Sequence, residues 1–306
     1  MAATDALLFI DANRYLDLYR TKKGNRLLAP LQEQVDHIFV TQQVVDEVQR
    51  QKLSAAAQLW VDEMPELQLK TFDLPDHLFG TSPSAREDAF RRMHEIGEQI
   101  DRLNQNIAAL GRDIVDKISR SDDEVSKALA PIFHKAVVHS AEELQRAQDR
   151  RARGNPPGKT KQAVGDQLTW EQILSEFCLR QKKRLWIISR DSDFGTIYKG
   201  TGFLNAFLYE ELRRVNPNCE VFLFDEIREG IKHFASKTGV SAKQLPPEEV
   251  AKEIRREEDK LPPLGWLVMD EVSPSIVNLW NREFWNRAAS EQMARAAAGL
   301  IKNTED

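Results

Sequence analysis

The segment Arg184 to Gly195, RLWIISRDSDFG, governs how the rest of this sequence is interpreted. Its first half, Leu185 to Ser189, is a short apolar run with β-branched residues, which is typical of a buried β-strand. Asp191 and Asp193 follow directly after this run. In open α/β sheets, ligands bind in the crevice beyond the carboxyl ends of the strands. We therefore expect these two carboxylates to belong to a binding site.

Further strand-like runs lie on both sides of this segment. They are LLFI at 7–10, HIFV at 37–40 and EVFLF at 220–224. Helix-forming segments alternate with them, such as GDQLTWEQILSEFCLRQ at 165–181. Strands that alternate with helices form βα units, and these units give a parallel sheet. The predicted fold class is therefore α/β.

A different pattern separates the two α/β segments. Apolar residues step by three and four along 93–114, as in the a/d seam of helices that pack side by side. They are Met93, Ile96, Ile100, Leu103, Ile107, Leu110 and Ile114. We expect a long antiparallel helical hairpin over 85–151, with Ser121 or Asp122 as the N-cap of its second helix. The hairpin either arches beside the active face of the domain, or it only forms a homo-oligomer or braces the fold.

The predicted domain organisation has four parts. The α/β domain occupies 1–84 and 152–229, the hairpin occupies 85–151, and a helical C-terminal extension occupies 230–306. The extension is charged and is interrupted by LPPEE at 245–249 and KLPPLGW at 260–266.

Composition limits the class of protein. The chain has 306 residues, a formal net charge of -5, 30% charged residues and 41% hydrophobic residues, which is normal for a soluble globular protein. Its two cysteines, Cys178 and Cys219, cannot build a disulfide framework or a cysteine-rich metal site. The sequence also lacks a basic leader and any apolar run of about 18 residues. We expect a cytoplasmic protein that does not enter the membrane.

Five acidic residues fall where the predicted strands end or the next helices begin. They are Asp11, Glu47, Asp166, Asp191 and Asp193. Each alone is an ordinary cap, turn or solvated residue. Together at one sheet edge they would repel one another unless a cation bound them. Hard divalent ions prefer oxygen ligands, so we expect one or two Mg²⁺ or Mn²⁺ ions.

Four motifs carry a resemblance to a known family. FIDANRYLDLYR, VTQQVVDEVQR, NPPGKTKQAVGDQLTWEQIL and WIISRDSDFG resemble the four acidic motifs of PIN-domain nucleases, in the same order. The larger bacterial PIN-like type is the most similar, because an NPPG loop precedes a GDxxxWE helix there. GFLNAFLYEELRR at 202–214 also looks like the segment that follows the last motif in that type. The hairpin and the extension lie outside the resemblance.

The resemblance implies a Rossmann-like parallel sheet and a metal-dependent endoribonuclease. Carried over by position, Asp11, Glu47, Asp166 and Asp191 are the catalytic and metal-binding acids, and Asp193 is an accessory acid. Asp46 is an acidic neighbour that makes the second motif uncertain by one residue. The alternatives are a catalytically silent scaffold that binds RNA or protein, and a nuclease that cuts DNA structures. A toxin or defence role, with an inhibitory protein partner, also remains open.

Basic and amide side chains near the third motif are predicted to contact the substrate. The predicted substrate-binding residues are Asn13, Arg153, Asn155, Lys159, Lys161 and Arg190. Cationic side chains that neutralise phosphates give salt-dependent affinity that does not depend on sequence. The same expectation covers the rest of the basic run before this motif and a second basic group after it: Arg146, Arg150, Arg151, Lys182, Lys183 and Arg184. A solvated surface is the ordinary alternative for such charged runs. GNPPGKT, at 154–160, is not a Walker A loop, because only three residues separate its glycines and it follows a helix.

Overall fold

The computed structural model describes residues 5–64, 66–70, 83–158 and 164–261. Its first elements are β1 (Ala6–Ile10), α1 (Ala12–Arg20), a 3₁₀ turn (Gly24–Leu27), α2 (Leu28–Glu33), β2 (Ile38–Phe39) and α3 (Gln42–Glu63). The next are α4 (Pro83–Ser119), α5 (Glu124–Phe133), α6 (Ala141–Ala152) and α7 (Gly165–Leu179). The last are β3 (Arg184–Ile188), β4 (Gly195–Tyr198), β5 (Thr201–Leu204), α8 (Ala206–Val215), β6 (Glu220–Phe224), α9 (Ile227–Thr238) and α10 (Glu248–Glu258).

Four of the described strands form one parallel sheet in the order β2-β1-β3-β6. Ile10 lies beside Ile188, and Ile188 lies beside Phe224, so β1, β3 and β6 end at the same edge. β1 and most of β3 are buried. Strands covered on both faces read as continuous apolar runs rather than as alternating ones. The sheet confirms the predicted Rossmann-like α/β fold and brings the residues after β1 and β3 together.

Helices cover both faces of the sheet. On one face, Trp186 packs against Phe222 and against Phe234 of α9. On the other face, the ring of Phe194 lies 6.1 Å from that of Phe9 and 6.4 Å from that of Trp170 in α7. Trp170 is fully buried.

The predicted insertion contains a long helix. α4 has 37 residues and is therefore roughly 55 Å long. It packs against the end of α3 and the segment that follows. An added Cβ at Gly111 would lie 2.8 Å from the indole nitrogen of Trp60. The side-chain amide of Asn104 donates to the carbonyl of Leu67 at 2.8 Å and accepts from its N–H at 3.1 Å.

The second half of the insertion differs from the expected single helix. α5 ends at Phe133, because the following residues join the edge of the sheet. Val137 forms a parallel bridge with Thr41, and its carbonyl accepts from the Gln42 N–H at 3.0 Å. A new helix, α6, then begins with a capping box formed by Ser140 and Glu143. Asp123, rather than Ser121 or Asp122, caps α5, since its side chain accepts from the Ser126 N–H.

A short antiparallel hairpin, β4–β5, was not expected from the sequence. Lys199 and Gly200 form its two-residue turn, and both have positive φ angles, of 50° and 78°. Such turns match the right-handed twist of paired strands. The hairpin lies next to β6, beyond the loop that holds Asp191 and Asp193.

The described part of the predicted extension packs on the α/β domain. α9 covers the sheet, and the buried Glu258 of α10 accepts from the equally buried guanidinium of Arg14 at 2.6 Å. Residues 262–306 of the predicted extension lie outside the described residues. In the part of the chain that the structure describes, every helix is too short or too polar to span a membrane.

Candidate metal centre

Asp11 follows β1 directly and caps α1. Its Oδ1 accepts from the Ala12 N–H at 2.8 Å. Its Oδ2 accepts from the Ser189 hydroxyl and from the Asn13 amide, both at 2.6 Å. The Asn13 amide nitrogen therefore makes a local contact with Asp11, two residues earlier. The Asn13 Oδ1 is buried without a hydrogen-bond partner among the described residues. These contacts hold the Asp11 carboxylate at the carboxyl edge of the sheet.

The loop after β3 is ordered by side-chain hydrogen bonds to its own backbone. The Ser189 hydroxyl accepts from the Asp191 N–H at 2.9 Å. The Asp191 Oδ1 accepts from the Asp193 N–H at 2.9 Å. Phe194, which is buried in the core, anchors the end of the loop. The two aspartates are therefore held in fixed positions beyond β3.

α7 brings a third aspartate to this loop. Asp166 lies in the first turn of α7, where the helix dipole favours negative charge. Asp166, Asp191 and Asp193 each offer a carboxylate oxygen, and these oxygens lie within 4.8 Å of one another. Gly158 supports the arrangement, since its N–H donates to the Asp193 Oδ2 at 3.1 Å. Such a set of oxygens could hold a metal ion.

Glu47 completes the site from α3. The N-cap of α3 is Thr41, and its hydroxyl accepts from the Val44 N–H at 3.3 Å. Burial, together with the charges of Asp166 and Asp191, raises the pKa of Glu47 to about 7. Its neighbour Asp46 accepts instead from the Gln42 amide at 2.7 Å, one turn earlier on the helix. The structure therefore places Glu47, and not Asp46, beside the other acids.

The five predicted acids form one group, which we call the acidic cluster: Asp11, Glu47, Asp166, Asp191 and Asp193. Burial, and after it the charges of Glu47 and Asp191, raise the pKa of Asp11 to about 7 despite its hydrogen bond from Ser189. The raised pKa values of Asp11 and Glu47 arise first from burial and then from the neighbouring carboxylates, and both effects disfavour ionisation. An all-oxygen donor set with excess negative charge, and with the buried Asn13 Oδ1 beside it, fits a hard divalent cation.

The predicted substrate-binding residues occupy different places. Arg153 ends α6 and is exposed, and Asn155 follows in the loop that leads to Gly158. Arg190 faces α10, where it donates to the Glu258 carbonyl at 2.6 Å and lies 3.1 Å from Asp259. Its guanidinium is thus engaged with α10, away from the cluster. Lys159 and Lys161 lie outside the described residues.

Most of the basic run that was expected to contact phosphates has a structural role. Arg150 is buried and pairs with Glu171 at 2.6 Å and with Glu211 at 2.8 Å, while Arg146 pairs with Glu171 at 2.9 Å. These ion pairs join α6, α7 and α8. A second basic group, Lys182 to Arg184, lies at the amino end of β3, opposite the acidic cluster. The expectation that these residues contact substrate is therefore corrected for Arg146, Arg150 and the 182–184 group.

Sequence reasoning missed Gly158, whose N–H contacts Asp193, and the bond from Ser189 to Asp11. The NPPG motif was the signal for Gly158, which has a φ of +87°. Such a φ favours glycine because it lacks a Cβ. For Ser189 the sequence offered no signal beyond its position at the end of a strand.

Comparison with known proteins agrees with this geometry. A protein-family model described as a PIN domain matches residues 8–194, more than half of the chain and all of the acidic cluster. No curated protein and no solved structure gives a significant match. The parallel sheet, the acids at its carboxyl edge and the family match lead to one conclusion: the chain belongs to the PIN domain family, whose fold is nuclease-like and whose members typically bind divalent metal ions.

Proposed function

We propose that the chain is a divalent-metal-dependent endonuclease that hydrolyses phosphodiester bonds of RNA. The observation that carries this proposal is the acidic cluster at the carboxyl edge of the sheet, with two of its members, Asp11 and Glu47, at raised pKa values. Strongly perturbed carboxylates of this kind are typical of functional sites. The family match supports a nuclease, and the choice of RNA follows from the resemblance of the four motifs.

In this proposal Asp166, Asp191 and Asp193 hold the ion through the oxygens that lie within 4.8 Å of one another, and Asp11 adds a further ligand. When bound, Mg²⁺ or Mn²⁺ would lower the pKa of a water molecule and withdraw charge from a phosphate oxygen. Glu47 accepts a proton from the attacking water, since a pKa of about 7 is suited to a base at neutral pH. Ser189 and Asn13 keep the Asp11 carboxylate in position.

The test is cleavage of labelled single-stranded RNA and DNA with Mg²⁺, Mn²⁺ or EDTA. We expect the parent to cut RNA with metal only. Asp191→Asn should reduce the rate at least ~100-fold, and Glu47→Gln should reduce it ~100- to 10,000-fold, the usual contribution of a catalytic base. Asp46→Asn is the matched control, and its rate should stay close to that of the parent, because Asp46 contacts Gln42 outside the cluster.

Each other result selects a different function. Equal rates for Asp191→Asn and the parent would show that this cluster does not catalyse the reaction. Cutting of DNA alone would identify a DNA nuclease. Binding of RNA without cutting in either metal would identify a catalytically silent scaffold.

The proposal also includes regulation and assembly. We propose that the protein acts in the cytoplasm, as a toxin or defence effector restrained by a partner protein, and that it self-associates through α4. The exposed apolar residues of α4, among them Ile96, Leu103 and Leu110, support a contact surface on this helix.

A further inference from the structure

The β4–β5 hairpin carries an exposed aromatic face directly after the acidic cluster. Its register pairs Thr196 with Phe203 and Tyr198 with Thr201, so these four side chains share one face. Tyr198 is 61% exposed and Phe203 is 54% exposed. Large rings that are this exposed on a short hairpin are not needed for its packing.

The opposite face of the hairpin explains why the rings point outward. Gly195 and Gly202 alternate with the exposed residues and lie against β6. A Cβ added at Gly202 would come 2.0 Å from the Leu223 carbonyl oxygen, and one at Gly195 would come 2.8 Å from the Leu223 side chain. The glycines therefore let the hairpin lie close on β6, and the aromatic face is left to solvent.

The aromatic face begins at the edge of the acidic cluster. Phe194 follows Asp193, and its carbonyl accepts from the Asn205 N–H at 2.8 Å, so both ends of the hairpin are fixed at this point. Phe203 pairs with Thr196, two residues beyond Phe194, which is roughly 7 Å along a strand. Tyr198 lies two residues farther out, at roughly 13 Å.

A cation accompanies the rings. The Lys199 ammonium in the hairpin turn lies 5.4 Å from the centroid of the Tyr198 ring. The threonines and this lysine interrupt the apolar surface, unlike the contiguous patches that mark protein interfaces. Aromatic rings combined with a nearby positive charge are the features by which proteins bind unpaired bases and their phosphates.

We propose that Tyr198 and Phe203 form a platform on which unpaired bases of the substrate stack, next to the acidic cluster. This inference rests on the proposed function and deepens it, because it specifies a single-stranded substrate segment. Lys199 supplies a phosphate contact at the outer end of the platform. Stacking is tolerant of sequence, so the platform selects single strands rather than particular bases.

The experiment compares two double variants with the parent. Tyr198→Leu with Phe203→Leu keeps apolar side chains but removes both rings, whereas Tyr198→Phe with Phe203→Tyr keeps both rings. Fluorescence anisotropy in EDTA measures the binding of a labelled single-stranded RNA oligomer without cleavage. A second probe is an abasic oligomer of the same length, which has the same charge and no bases.

We expect the leucine pair to bind the RNA oligomer at least ~10-fold more weakly than the parent, since stacking contributes roughly 1–3 kcal/mol per base. The ring-swapped pair should bind like the parent. All three proteins should bind the abasic oligomer equally. Equal RNA affinity of the leucine pair and the parent, or a parent that binds no single-stranded RNA, would overturn the platform.

Two further outcomes separate the possible failures. If the leucine pair keeps its RNA affinity but loses self-association in sedimentation, the face is an interface between copies and the platform is wrong. If the parent binds RNA through the rings but cuts none with Mg²⁺ or Mn²⁺, the proposed nuclease function fails and the platform stands. A parent that cuts RNA, with a leucine pair of unchanged affinity, rejects the platform alone.

Discussion

The surroundings of Asp11 position its carboxylate but do not stabilise the negative charge. Its carboxylate accepts hydrogen bonds from Ala12, Asn13 and Ser189, and such bonds normally favour the charged form. Burial and the charges of Glu47 and Asp191 nevertheless raise its pKa to about 7. The local contacts therefore position the carboxylate without neutralising it. A bound dication would supply the missing positive charge.

This imbalance predicts the stability of Asp11→Asn. Because the pKa of Asp11 is raised in the folded state, the folded chain binds more protons than the unfolded chain between about pH 4 and pH 7, and the free energy of unfolding falls as the pH rises through this window. The asparagine variant lacks this loss. In EDTA we therefore expect the stability of the variant relative to the parent to increase by on the order of 2 kcal/mol from pH 5 to pH 8. A cost that does not depend on pH is added to this change, because the asparagine NH₂ group cannot accept one of the hydrogen bonds that Asp11 accepts.

Urea unfolding at pH 5 and pH 8 measures this difference. The free energy of unfolding of the variant, relative to that of the parent, should be lower at pH 5 than at pH 8. Mg²⁺ should stabilise the parent more than the variant, since an ion that binds only the folded state adds to its stability. Asp46→Asn is the control, because its carboxylate contacts Gln42 outside the acidic cluster. A stability difference between variant and parent that is the same at pH 5 and at pH 8 would contradict the electrostatic account of the cluster.

The five acids could be predicted from the sequence because each follows a local signal. Asp11, Asp191 and Asp193 come after apolar runs that are obvious strands, and Asp166 begins an obvious helix. Arg190, which was predicted to contact substrate, instead forms ion pairs that the sequence does not reveal, because its partners Glu258 and Asp259 lie 68 and 69 residues away along the chain. A contact of that separation leaves no periodic pattern in the sequence.

Among the elements, the loop before α7 controls the geometry of the cluster. Gly158 has a φ of +87° and donates its N–H to Asp193. A Cβ added there would lie 2.5 Å from the Gln167 side-chain nitrogen and 3.1 Å from the Asp166 Oδ2. The loop and the first turn of α7 are therefore in close contact only because residue 158 has no side chain.

Gly158→Ala should consequently weaken the metal site. The alanine strains the backbone by about 1 kcal/mol and displaces Gln167 or Asp166, so we expect roughly 10-fold weaker binding of Mn²⁺ in calorimetry. Gly239→Ala is the matched control: Gly239 has a φ of +73°, and a Cβ there would meet nothing within 4 Å. Both variants have the backbone strain of a positive φ, and only Gly158→Ala adds steric contacts with Gln167 and Asp166. Equal metal affinity of the two variants would show that the loop does not set the position of Asp166.

The elements that the sequence did not predict depend on contacts between distant segments. The break between α5 and α6 arises because Val137 pairs with Thr41, almost one hundred residues earlier. The β4–β5 hairpin is too short for a clear alternating pattern, and Lys199–Gly200 was its main local signal. By contrast, β1 and β3 are buried on both faces, so their apolar runs identify them from the sequence alone.

At the scale of the whole molecule, α4 packs against its own chain along one face and leaves a row of apolar residues exposed along another. Trp60 and Leu67 contact Gly111 and Asn104 on the packed face. About 100° around the helix axis from these contacts, Ile96, Leu103 and Leu110 recur every seven residues and are 45%, 46% and 53% exposed. A seven-residue apolar repeat that stays exposed along a helix is typical of a surface that pairs with another helix.

The charges beside this stripe favour a second copy in antiparallel orientation. An axis through Leu103 sets Ile96 opposite Leu110 of the second copy and brings Arg92 within one residue of the level of its Asp113. In a parallel pair Arg92 would be level with Arg92 and Asp113 with Asp113, so the pairing of Arg92 with Asp113 would be absent. These opposite charges therefore favour the antiparallel arrangement.

Sedimentation of the parent and three variants tests this arrangement. We expect the parent to be a dimer, and Leu103→Glu to be a monomer, because two glutamates would meet at the axis. Arg92→Asp should weaken the dimer about 10-fold by placing like charges together. Arg92→Asp combined with Asp113→Arg should restore it, since the exchange recreates the same pairs in reverse. A parent that remains monomeric, or a double exchange that is no tighter than Arg92→Asp, would show that α4 does not pair with itself in this way.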